Sequence, residues 1–396
     1  MGSGIAICAA CAGFDVTVVD STRAAVAAAT DRVHGHFEQA VAKGRLSPDA
    51  SAAARQRIVA NTALEALASA DLVIEAVFEN LATKQSVFAQ LGVICRPGAV
   101  LATNTSTLDV DAIAAASRRP SDVVGMHFFS PAHVMRLLEI VRGRESGPAA
   151  LATAREVGQR LGKVNVVVGN CFGFVGNRML YAYGREKEQM MLEGTSPETI
   201  DGALEEFGMA MGPNAVGDLA GLDIGYQVRR AWAGRPADPL YFRVADLLVE
   251  NGRLGQKSGR GFYRYESGIR MRLPDAEVVA LIRAEAARLG VTPREISAPE
   301  IVERCILSLV NEGARVLEDG IAESAADIDV IWCNGYGFPR DRGGPMRYAD
   351  TLGLTAVLER LRAYEARYGC GHWTPSVRID RLACAQVGFH GSNVKP

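Results

Sequence analysis

Several features are missing from this sequence, and each absence removes a class of protein. No run of 18 or more consecutive residues is apolar, so the sequence predicts no membrane-spanning helix. The net charge is only −2 over 396 residues, which gives no general electrostatic reason to expect a nucleic acid or an anionic membrane as partner. The alanine-rich start lacks the basic segment of a secretory signal peptide. We therefore expect neither membrane nor nucleic acid among its partners.

Cysteine is also scarce, with 8 residues in the chain. That density is too low for a disulfide scaffold, and it predicts reduced thiols and a cytoplasmic location. Cys8 and Cys11 form a C-x-x-C pair, but no second pair completes a tetrahedral metal site. Because the pair lies in a helical pattern, we favour packing in the core and expect no bound metal.

The first half of the chain alternates short apolar runs with helical stretches. Candidate strands are 16–20, 72–77, 100–103, 123–128, 137–141 and 164–168. The segment 22–67 is wide enough for two helices, with a turn at 43–48 between them. Strands that alternate with helices predict an α/β fold with a mostly parallel sheet, covered by helices on both faces.

After about residue 170 amphipathic helical patterns dominate, and this half contains a repeat. Arg178 and Arg304 are 126 residues apart, and similar landmarks follow each of them as far as Pro213 and Pro339. Two copies of one helical unit would bury a shared face against each other; chance similarity between amphipathic helices is the alternative. The predicted domains are 1–169, 170–267 and 296–385.

The opening stretch "MGSGIAICAACAGFDVTVVD" looks like a dinucleotide-binding unit without its beginning. Residues 2–13 predict the glycine-entered helix of such a unit, and 16–20 predict the strand that follows it. A complete unit starts with an earlier strand and a G-x-G turn, and Gly2 and Gly4 supply only the end of that series. Asp20 fits the acidic residue that accepts the ribose 2′-hydroxyl. On spacing alone, a glycine-rich start with a surface aspartate explains these residues equally well.

A second group of residues bears on chemistry. The stretch "GMHFFSPAHVMRLLEIV" places His127 at the end of one strand and Glu139 on the next. A histidine can take an alcohol proton near neutral pH, and a carboxylate on its other nitrogen fixes the tautomer. Asn104 and Ser106 follow another strand, where open α/β sheets bind their ligands, and Asn177 begins the helical half. Taken singly, His127 is more often a structural histidine and Asn177 a residue that begins a helix.

Taken together and in this order, the motifs Asn-Thr-Ser106, His127-Phe-Phe, Glu139 and Gly-Phe-Val-Gly-Asn177 resemble the 3-hydroxyacyl-CoA dehydrogenase family. The second helical copy resembles the C-terminal part of the multifunctional β-oxidation enzymes. The resemblance implies a Rossmann-like NAD-binding domain followed by two copies of the family's helical domain. Relative to that family, the chain is expected to be truncated at the N-terminus, within the glycine motif.

The resemblance also implies roles for individual residues. His127 would be the general base that removes the proton of the 3-hydroxyl group, Glu139 would hold and polarise it, and Ser106 and Asn177 would hydrogen-bond the substrate oxygen. Residues expected to contact NAD are Gly2, Asp20, Glu79, Lys84 and Asn104. Lys43 is expected to contact the CoA moiety of the substrate.

The implied activity is reversible oxidation of (S)-3-hydroxyacyl-CoA to 3-oxoacyl-CoA in fatty-acid β-oxidation, with NAD as cofactor. An enoyl-CoA hydratase or a thiolase is the implied partner in a β-oxidation assembly, and the chain would be a monomer or a homodimer. Glu303 stands where the first helical copy has Asn177, so the second copy is expected to serve packing, as an internal substitute for a dimer partner. Two alternatives stay open: an impaired relative that acts as an acyl-CoA-binding or assembly subunit, and a dehydrogenase of small hydroxy acids or UDP-sugars.

Overall fold

A computed structural model describes residues 1–266 and 271–391. Its residues form two compact units. The first unit comprises Met1–Val175 with Gly320–Glu323, and the second comprises Gly176–Asp319 with the described residues from Ser324 onward. The finer domain limits stay predictions, and the limit at residue 267 lies outside the described residues.

The first unit alternates strands and helices along the chain. Its strands are β1 (Val16–Val19), β2 (Ile58–Asn61), β3 (Leu72–Glu75), β4 (Val100–Thr103), β5 (Val123–Phe128), β6 (Leu137–Arg142) and β7 (Val164–Gly169). Its helices are α1 (Gly2–Cys11), α2 (Arg23–Ala42), α3 (Pro48–Gln56), α4 (Leu81–Ile94), α5 (Val110–Ala116) and α6 (Pro148–Arg160). The six predicted strands are all present, with ends that differ by at most two residues.

Strands β3 to β7 form one five-stranded sheet in chain order, whereas β1 and β2 form a separate parallel pair within the described residues. Neighbours in the larger sheet are parallel except β5 and β6, which are antiparallel. Successive residues of β4 face different apolar clusters: Val100 and Ala102 pack with α1 and α6, and Leu101 packs with α4 and α5. The sheet is therefore covered on both faces, which confirms the predicted α/β class.

The segment 22–67 differs from its prediction of two helices. Both helices form, and the predicted turn separates them, with the Ser47 hydroxyl accepting the Ala50 N–H to begin α3. Strand β2 follows them and was not predicted. It pairs with β1 from Val16 opposite Ile58, but three of its four residues are exposed. Its apolar run, Ile58 to Ala60, is too short for periodicity to distinguish a strand from the end of the preceding helix.

The described residues of the second unit are mainly helical, with connecting segments and isolated antiparallel bridges such as that of Arg264 with Leu273. Its helices are α7 (Gly176–Leu192), α8 (Pro197–Phe207), α9 (Pro213–Ala220), α10 (Leu222–Ala231), α11 (Arg243–Glu250), α12 (Ala276–Arg288), α13 (Ala298–Glu318), α14 (Ala325–Gly335), α15 (Pro345–Leu352), α16 (Leu354–Tyr368) and α17 (Val377–Ala385). None of the helices in the described ranges combines the length and apolarity required to cross a bilayer.

The two longest pairing helices of this unit, α7 and α13, pack against each other. Arg178 on α7 pairs with Glu312 on α13 at 2.6 Å, and Arg304 on α13 pairs with Glu186 on α7 at 3.0 Å. Glu186 and Glu312 are separated by the same 126 residues as the two arginines. The same pair is thus made in both directions, as in the self-complementary interface of a symmetric dimer.

The interpretation of the C-x-x-C pair as core packing is wrong for Cys11. Its side chain is exposed, whereas Cys8 is half-buried and its thiol donates to the carbonyl of Ala132 at 3.4 Å. Burial raises the pKa of the Cys8 thiol, and the Cys11 thiol is shifted in the same direction by burial and by its neighbour Cys8. Thiols shifted this way are poor nucleophiles. Within the described residues, no group of three or more histidine, cysteine, aspartate or glutamate side chains is arranged to hold a metal ion.

Candidate active site

His127 and Glu139 form a buried pair across two strands. They stand opposite each other in the antiparallel register of β5 and β6, so their side chains leave the sheet on the same face. The His127 Nδ1 lies 2.8 Å from Glu139 Oε2, and the two side chains are 7% and 0% exposed. The rings of Phe129 and Phe174 lie 4.4 and 5.7 Å from the imidazole. The pair therefore lies in an apolar environment that excludes water from Nδ1.

Asn104 joins the ends of three strands beside this pair. It follows β4, and its backbone N–H donates to the carbonyl of Glu75 at the end of β3, at 2.8 Å. Its side-chain Oδ1 accepts the N–H of Phe128, the residue after His127, at 2.9 Å. Asn104 consequently fixes the backbone that carries the imidazole.

The Glu79 carboxylate holds the loop that carries Ser106. Its Oε1 accepts hydrogen bonds from the Thr105 hydroxyl at 2.6 Å, the Ser106 N–H at 2.7 Å and the Ser106 hydroxyl at 3.0 Å. The structure thus brings together four residues singled out in the sequence, Asn104 and Ser106 after β4, Glu79 after β3 and His127 on β5.

Lys84 lies beneath this loop and is fully buried. Its Nζ donates to Glu75 Oε1 at 2.8 Å and to the Asn104 carbonyl at 3.1 Å, and it lies 3.7 Å from Glu79 Oε2. The ammonium is therefore directed at the strand ends rather than at solvent. Glu75 was not among the predicted residues, although an acidic residue at the end of the apolar run "LVIE" is a signal that could have identified it.

The residues around β1 fit a dinucleotide. Asp20 follows β1, is exposed, and accepts the Ser21 N–H at 2.8 Å; an exposed carboxylate there can accept ribose hydroxyls. Gly2 begins α1, where a Cβ would come within 3.9 Å of Ala76, and helix N-terminal N–H groups attract phosphate. Phe78, between β3 and Glu79, is 88% exposed and offers apolar surface to a base or a nicotinamide ring.

Two further predicted residues lie on helices rather than at strand ends. Lys43 is the exposed residue that ends α2, and in the described part of the chain no hydrogen bond or ion pair joins its side chain to the residues around Ser106. Asn177 is in the second unit, as the second residue of α7, and its Oδ1 accepts the hydroxyl of Tyr336 at 2.9 Å. Tyr336 was not predicted, because 159 residues separate it from Asn177 and no local pattern connects them.

The fold and the strand-end residues define a Rossmann-like dinucleotide-binding protein with a paired helical region. Sequence comparison is more specific. Residues 1–171 match the family model "3-hydroxyacyl-CoA dehydrogenase, NAD binding domain", and residues 173–265 and 301–388 both match "3-hydroxyacyl-CoA dehydrogenase, C-terminal domain". The chain belongs to the 3-hydroxyacyl-CoA dehydrogenase family of NAD-dependent oxidoreductases. The double match confirms the predicted pair of helical copies, and NAD is the cofactor of the family's first domain.

Curated relatives include peroxisomal bifunctional enzymes. The enzyme of Danio rerio is 44% identical over 396 residues, which cover 96% of this chain and 54% of the relative. The enzyme of Homo sapiens is 44% identical over 377 residues, which cover 92% of this chain and 52% of the relative. The chain thus spans about half the length of the curated relatives it matches.

Solved structures of similar fold include 3-hydroxybutyryl-CoA dehydrogenase of Escherichia coli, at 26% identity and a TM-score of 0.83 over 97% of this chain and 96% of that chain. The dehydrogenase part of multifunctional enzyme 1 of C. elegans is 29% identical, with a TM-score of 0.69 over 96% of this chain and 86% of that chain. Both likenesses extend through the helical region.

The expected cytoplasmic location is wrong by these comparisons. The curated relatives are named peroxisomal or glyoxysomal enzymes in animals and plants. The scarcity of disulfide-forming cysteines, on which the expectation depended, distinguishes reducing from oxidising surroundings, and it carries no information about which organelle holds the protein.

Proposed function

We propose that this chain catalyses the reversible, NAD-dependent oxidation of (S)-3-hydroxyacyl-CoA to 3-oxoacyl-CoA, a step of fatty-acid β-oxidation. The observation that carries the proposal is the buried pair of His127 and Glu139, with 2.8 Å between Nδ1 and Oε2. This is the arrangement that oxidation of an alcohol requires of a general base, and it stands on the family's NAD-binding fold.

In this proposal, the chemistry of the two side chains decides where the protons lie. A carboxylate only accepts hydrogen bonds, so the hydrogen between the two groups belongs to Nδ1 and the lone pair belongs to Nε2. His127 Nε2 takes the proton of the 3-hydroxyl group, and Glu139 stabilises the imidazolium that results. Bound NAD supplies the acceptor for the hydride that leaves C3. Ser106 and Asn177 hydrogen-bond the substrate oxygen.

The cofactor contacts follow from the same assignment. Asp20 holds the ribose hydroxyls, and Gly2 presents the start of α1 to the phosphates. Glu79 and Asn104 lie at the strand ends that face the nicotinamide, and Lys84 acts on both of them from beneath, since its ammonium contacts the Asn104 carbonyl and approaches Glu79. Lys43, exposed at the end of α2, contacts the CoA moiety.

An enoyl-CoA hydratase is the proposed partner, with a thiolase as the next enzyme in the assembly. Support comes from the names of the relatives, which are bifunctional or multifunctional enzymes about twice as long as the matched region. A hydratase forms the 3-hydroxyacyl-CoA that this chain would consume, and a thiolase cleaves the 3-oxoacyl-CoA that it would release.

The test is an NADH-oxidation assay with acetoacetyl-CoA. We expect His127→Gln to lower turnover by roughly 10²- to 10⁴-fold, because a glutamine cannot exchange the proton, while NADH affinity measured by fluorescence stays near that of the wild type. Glu139→Gln should lower turnover in the same assay, because an amide cannot stabilise the imidazolium as a carboxylate does. A wild-type chain that binds acetoacetyl-CoA but not NADH would instead favour an acyl-CoA-binding subunit.

The chain offers a matched control. His390 in the second unit also lies 2.8 Å from a carboxylate, that of Asp350, so His390→Gln removes a similar pair and should leave turnover unchanged. If His127→Gln abolished NADH binding as well as turnover, His127 would be a structural residue and the proposal would fail.

A further inference from the structure

We propose that Tyr336, on the second helical copy, is a positioning residue for Asn177 on the first. The inference rests on the proposed function, in which the Asn177 amide hydrogen-bonds the substrate oxygen. Both residues lie in the second unit, and the Tyr336 hydroxyl lies 2.9 Å from Asn177 Oδ1. The second copy would therefore orient a side chain of the active site as well as fill space.

The phenol ring of Tyr336 is held in place by its own copy. It stacks on the indole of Trp332, with ring centroids 4.7 Å apart and planes 25° apart, and Trp332 is fully buried. The Tyr336 N–H donates to the Trp332 carbonyl at 3.2 Å. A ring fixed by stacking and by its backbone presents its hydroxyl in one direction.

The residue before Asn177 fits this phenol. A Cβ built on Gly176 would lie 2.4 Å from the Tyr336 hydroxyl oxygen and 2.4 Å from Cε2, far inside contact distance. Any larger residue at 176 would displace the ring. The absence of a side chain at Gly176 therefore permits the hydrogen bond to Asn177.

The turn that carries Tyr336 is also attached to the first copy. Gly337 adopts φ +71°, and its carbonyl accepts the N–H of Ala210 at 2.9 Å. Five residues after Gly337, Arg342 Nε donates to the carbonyl of Phe207 at 3.0 Å. These bonds join the turn to the end of α8, and the phenol joins it to Asn177 on α7, so Tyr336 is attached to two helices of the first copy.

The hydrogen bond from Tyr336 decides which end of the Asn177 amide faces the substrate oxygen in this proposal. An asparagine side chain has an oxygen that only accepts and a nitrogen that only donates. With the phenol donating to Oδ1, Nδ2 is the end of Asn177 that donates to an oxygen. This is the end that a substrate hydroxyl or carbonyl oxygen requires.

The second copy has its own residue at the position of Asn177, and that residue does not have this role. Glu303 occupies the position of Asn177, and its Oε1 accepts the hydroxyl of Tyr364 at 2.8 Å, while Arg360 pairs with its Oε2 at 3.1 Å. A carboxylate bound in this way has no donor to offer a substrate. Tyr364→Phe thus removes a similar phenol-to-side-chain bond away from the proposed chemistry.

The experiment is a double-mutant cycle in the acetoacetyl-CoA and NADH assay. Tyr336→Phe should lower kcat about tenfold, the effect of losing one hydrogen bond worth roughly 1.4 kcal/mol, with the KM for NADH and the melting temperature near wild type. In an Asn177→Ala background the same substitution should have no further effect, since there is no amide left to orient. Gly176→Ala, which displaces the phenol, should reproduce the loss of kcat, and Tyr364→Phe should retain wild-type kcat.

Each result bears on the inference. An unchanged kcat in Tyr336→Phe would overturn it, and so would an equal loss of kcat with and without Asn177, because Tyr336 would then act elsewhere. A folded wild-type chain without acetoacetyl-CoA reduction would overturn the proposed function, and this is visible before any variant is made. If the wild type is active and Asn177→Ala loses most of its kcat while Tyr336→Phe loses none, the proposed function is sustained and only the role of Tyr336 is rejected.

Discussion

Two buried pairs of charged or titratable side chains lie near the strand ends. His127 and Glu139 form the pair proposed to meet the substrate, and Lys84 and Glu75 form a second pair that is linked to the first through Asn104. Glu75 is almost completely buried and accepts from the Thr103 hydroxyl at 2.8 Å as well as from Lys84. A buried ion pair with its remaining atoms hydrogen-bonded is stable as a pair, but either charge alone is costly. The pair of Lys84 and Glu75 therefore fixes Asn104, which in turn holds the backbone next to His127.

Lys84→Met tests this arrangement. Leaving the Glu75 carboxylate buried without its cation should lower the free energy of unfolding by about 3 kcal/mol, measured by urea denaturation, and adding Glu75→Gln should restore part of the loss. As a control, Lys257→Met breaks the more exposed pair with Asp223 and should cost less than about 1 kcal/mol. Unchanged stability together with weakened NADH binding would mean instead that Lys84 contacts the cofactor directly, as the family resemblance first implied.

At the residue scale, the sequence could predict a contact only where the two residues lie close together along the chain. His127 and Glu139 were predicted together because they lie 12 residues apart on consecutive strands, although the antiparallel pairing of those strands was not predicted. Tyr336 has no such relation to Asn177. The burial of Lys84 was equally invisible, since a lysine in a helix pattern is usually solvated and only the fold places Glu75 beside it.

At the scale of elements, an aspartate accepts the first backbone N–H groups of corresponding helices in the two helical copies. Asp201 on α8 accepts the N–H groups of Asn214 and Ala215 at the start of α9. Asp329 on α14 accepts those of Met346 and Arg347 at the start of α15. The copies differ in the side chain that contacts the carboxylate. In the first copy, the hydroxyl of Tyr263 donates to Asp201.

In the second copy an imidazole takes that place. His390 Nε2 lies 3.1 Å from Asp329, and its Nδ1 lies 2.8 Å from Asp350. The imidazole joins α14, α15 and the segment after α17 in one cluster. The sequence predicted that both copies are helical, but it did not predict this exchange of a tyrosine for a histidine. The landmarks of the repeat end at Pro213 and Pro339, before Tyr263 and His390, which follow their aspartates by 62 and 61 residues.

This cluster should make stability depend on pH. Burial raises the pKa of Asp329 to about 7, well above the value of about 3.9 for a free aspartate. The folded state therefore binds this proton more tightly than the unfolded state. The stabilisation is fully present below about pH 4 and is lost as the pH rises through about 7.

We expect the free energy of unfolding of the wild type to fall between pH 5 and pH 8, and to fall less in Asp329→Asn, which cannot titrate. Urea denaturation across that range is the measurement. The exposed Asp341, in the turn before α15, provides the control, since Asp341→Asn should retain the slope of the wild type. Equal slopes in all three proteins would show that the Asp329 carboxyl is ionised throughout the range.

At the scale of the whole molecule, the helical region is built like the interface of a symmetric dimer within one chain. Besides the pairs of Arg178 with Glu312 and Arg304 with Glu186, Arg178 lies 2.8 Å from Asp319 and Arg304 lies 3.1 Å from Glu193. Every one of these contacts has its counterpart 126 residues along the chain. The surface that a single-copy helical unit would present to a second subunit is thus covered internally.

We therefore predict that the chain is a monomer in solution, since an interface satisfied within the chain leaves the same surface unavailable to another copy. Sedimentation velocity over a wide range of protein concentrations should give one species of monomer mass. Arg304→Met, which leaves Glu186 and Glu193 buried without their cation, should lower stability without producing a dimer, because both copies remain tethered in one chain. If the helical copies instead exchange between chains, the wild type will sediment as a dimer, and Arg304→Met will shift it toward monomer as the protein is diluted.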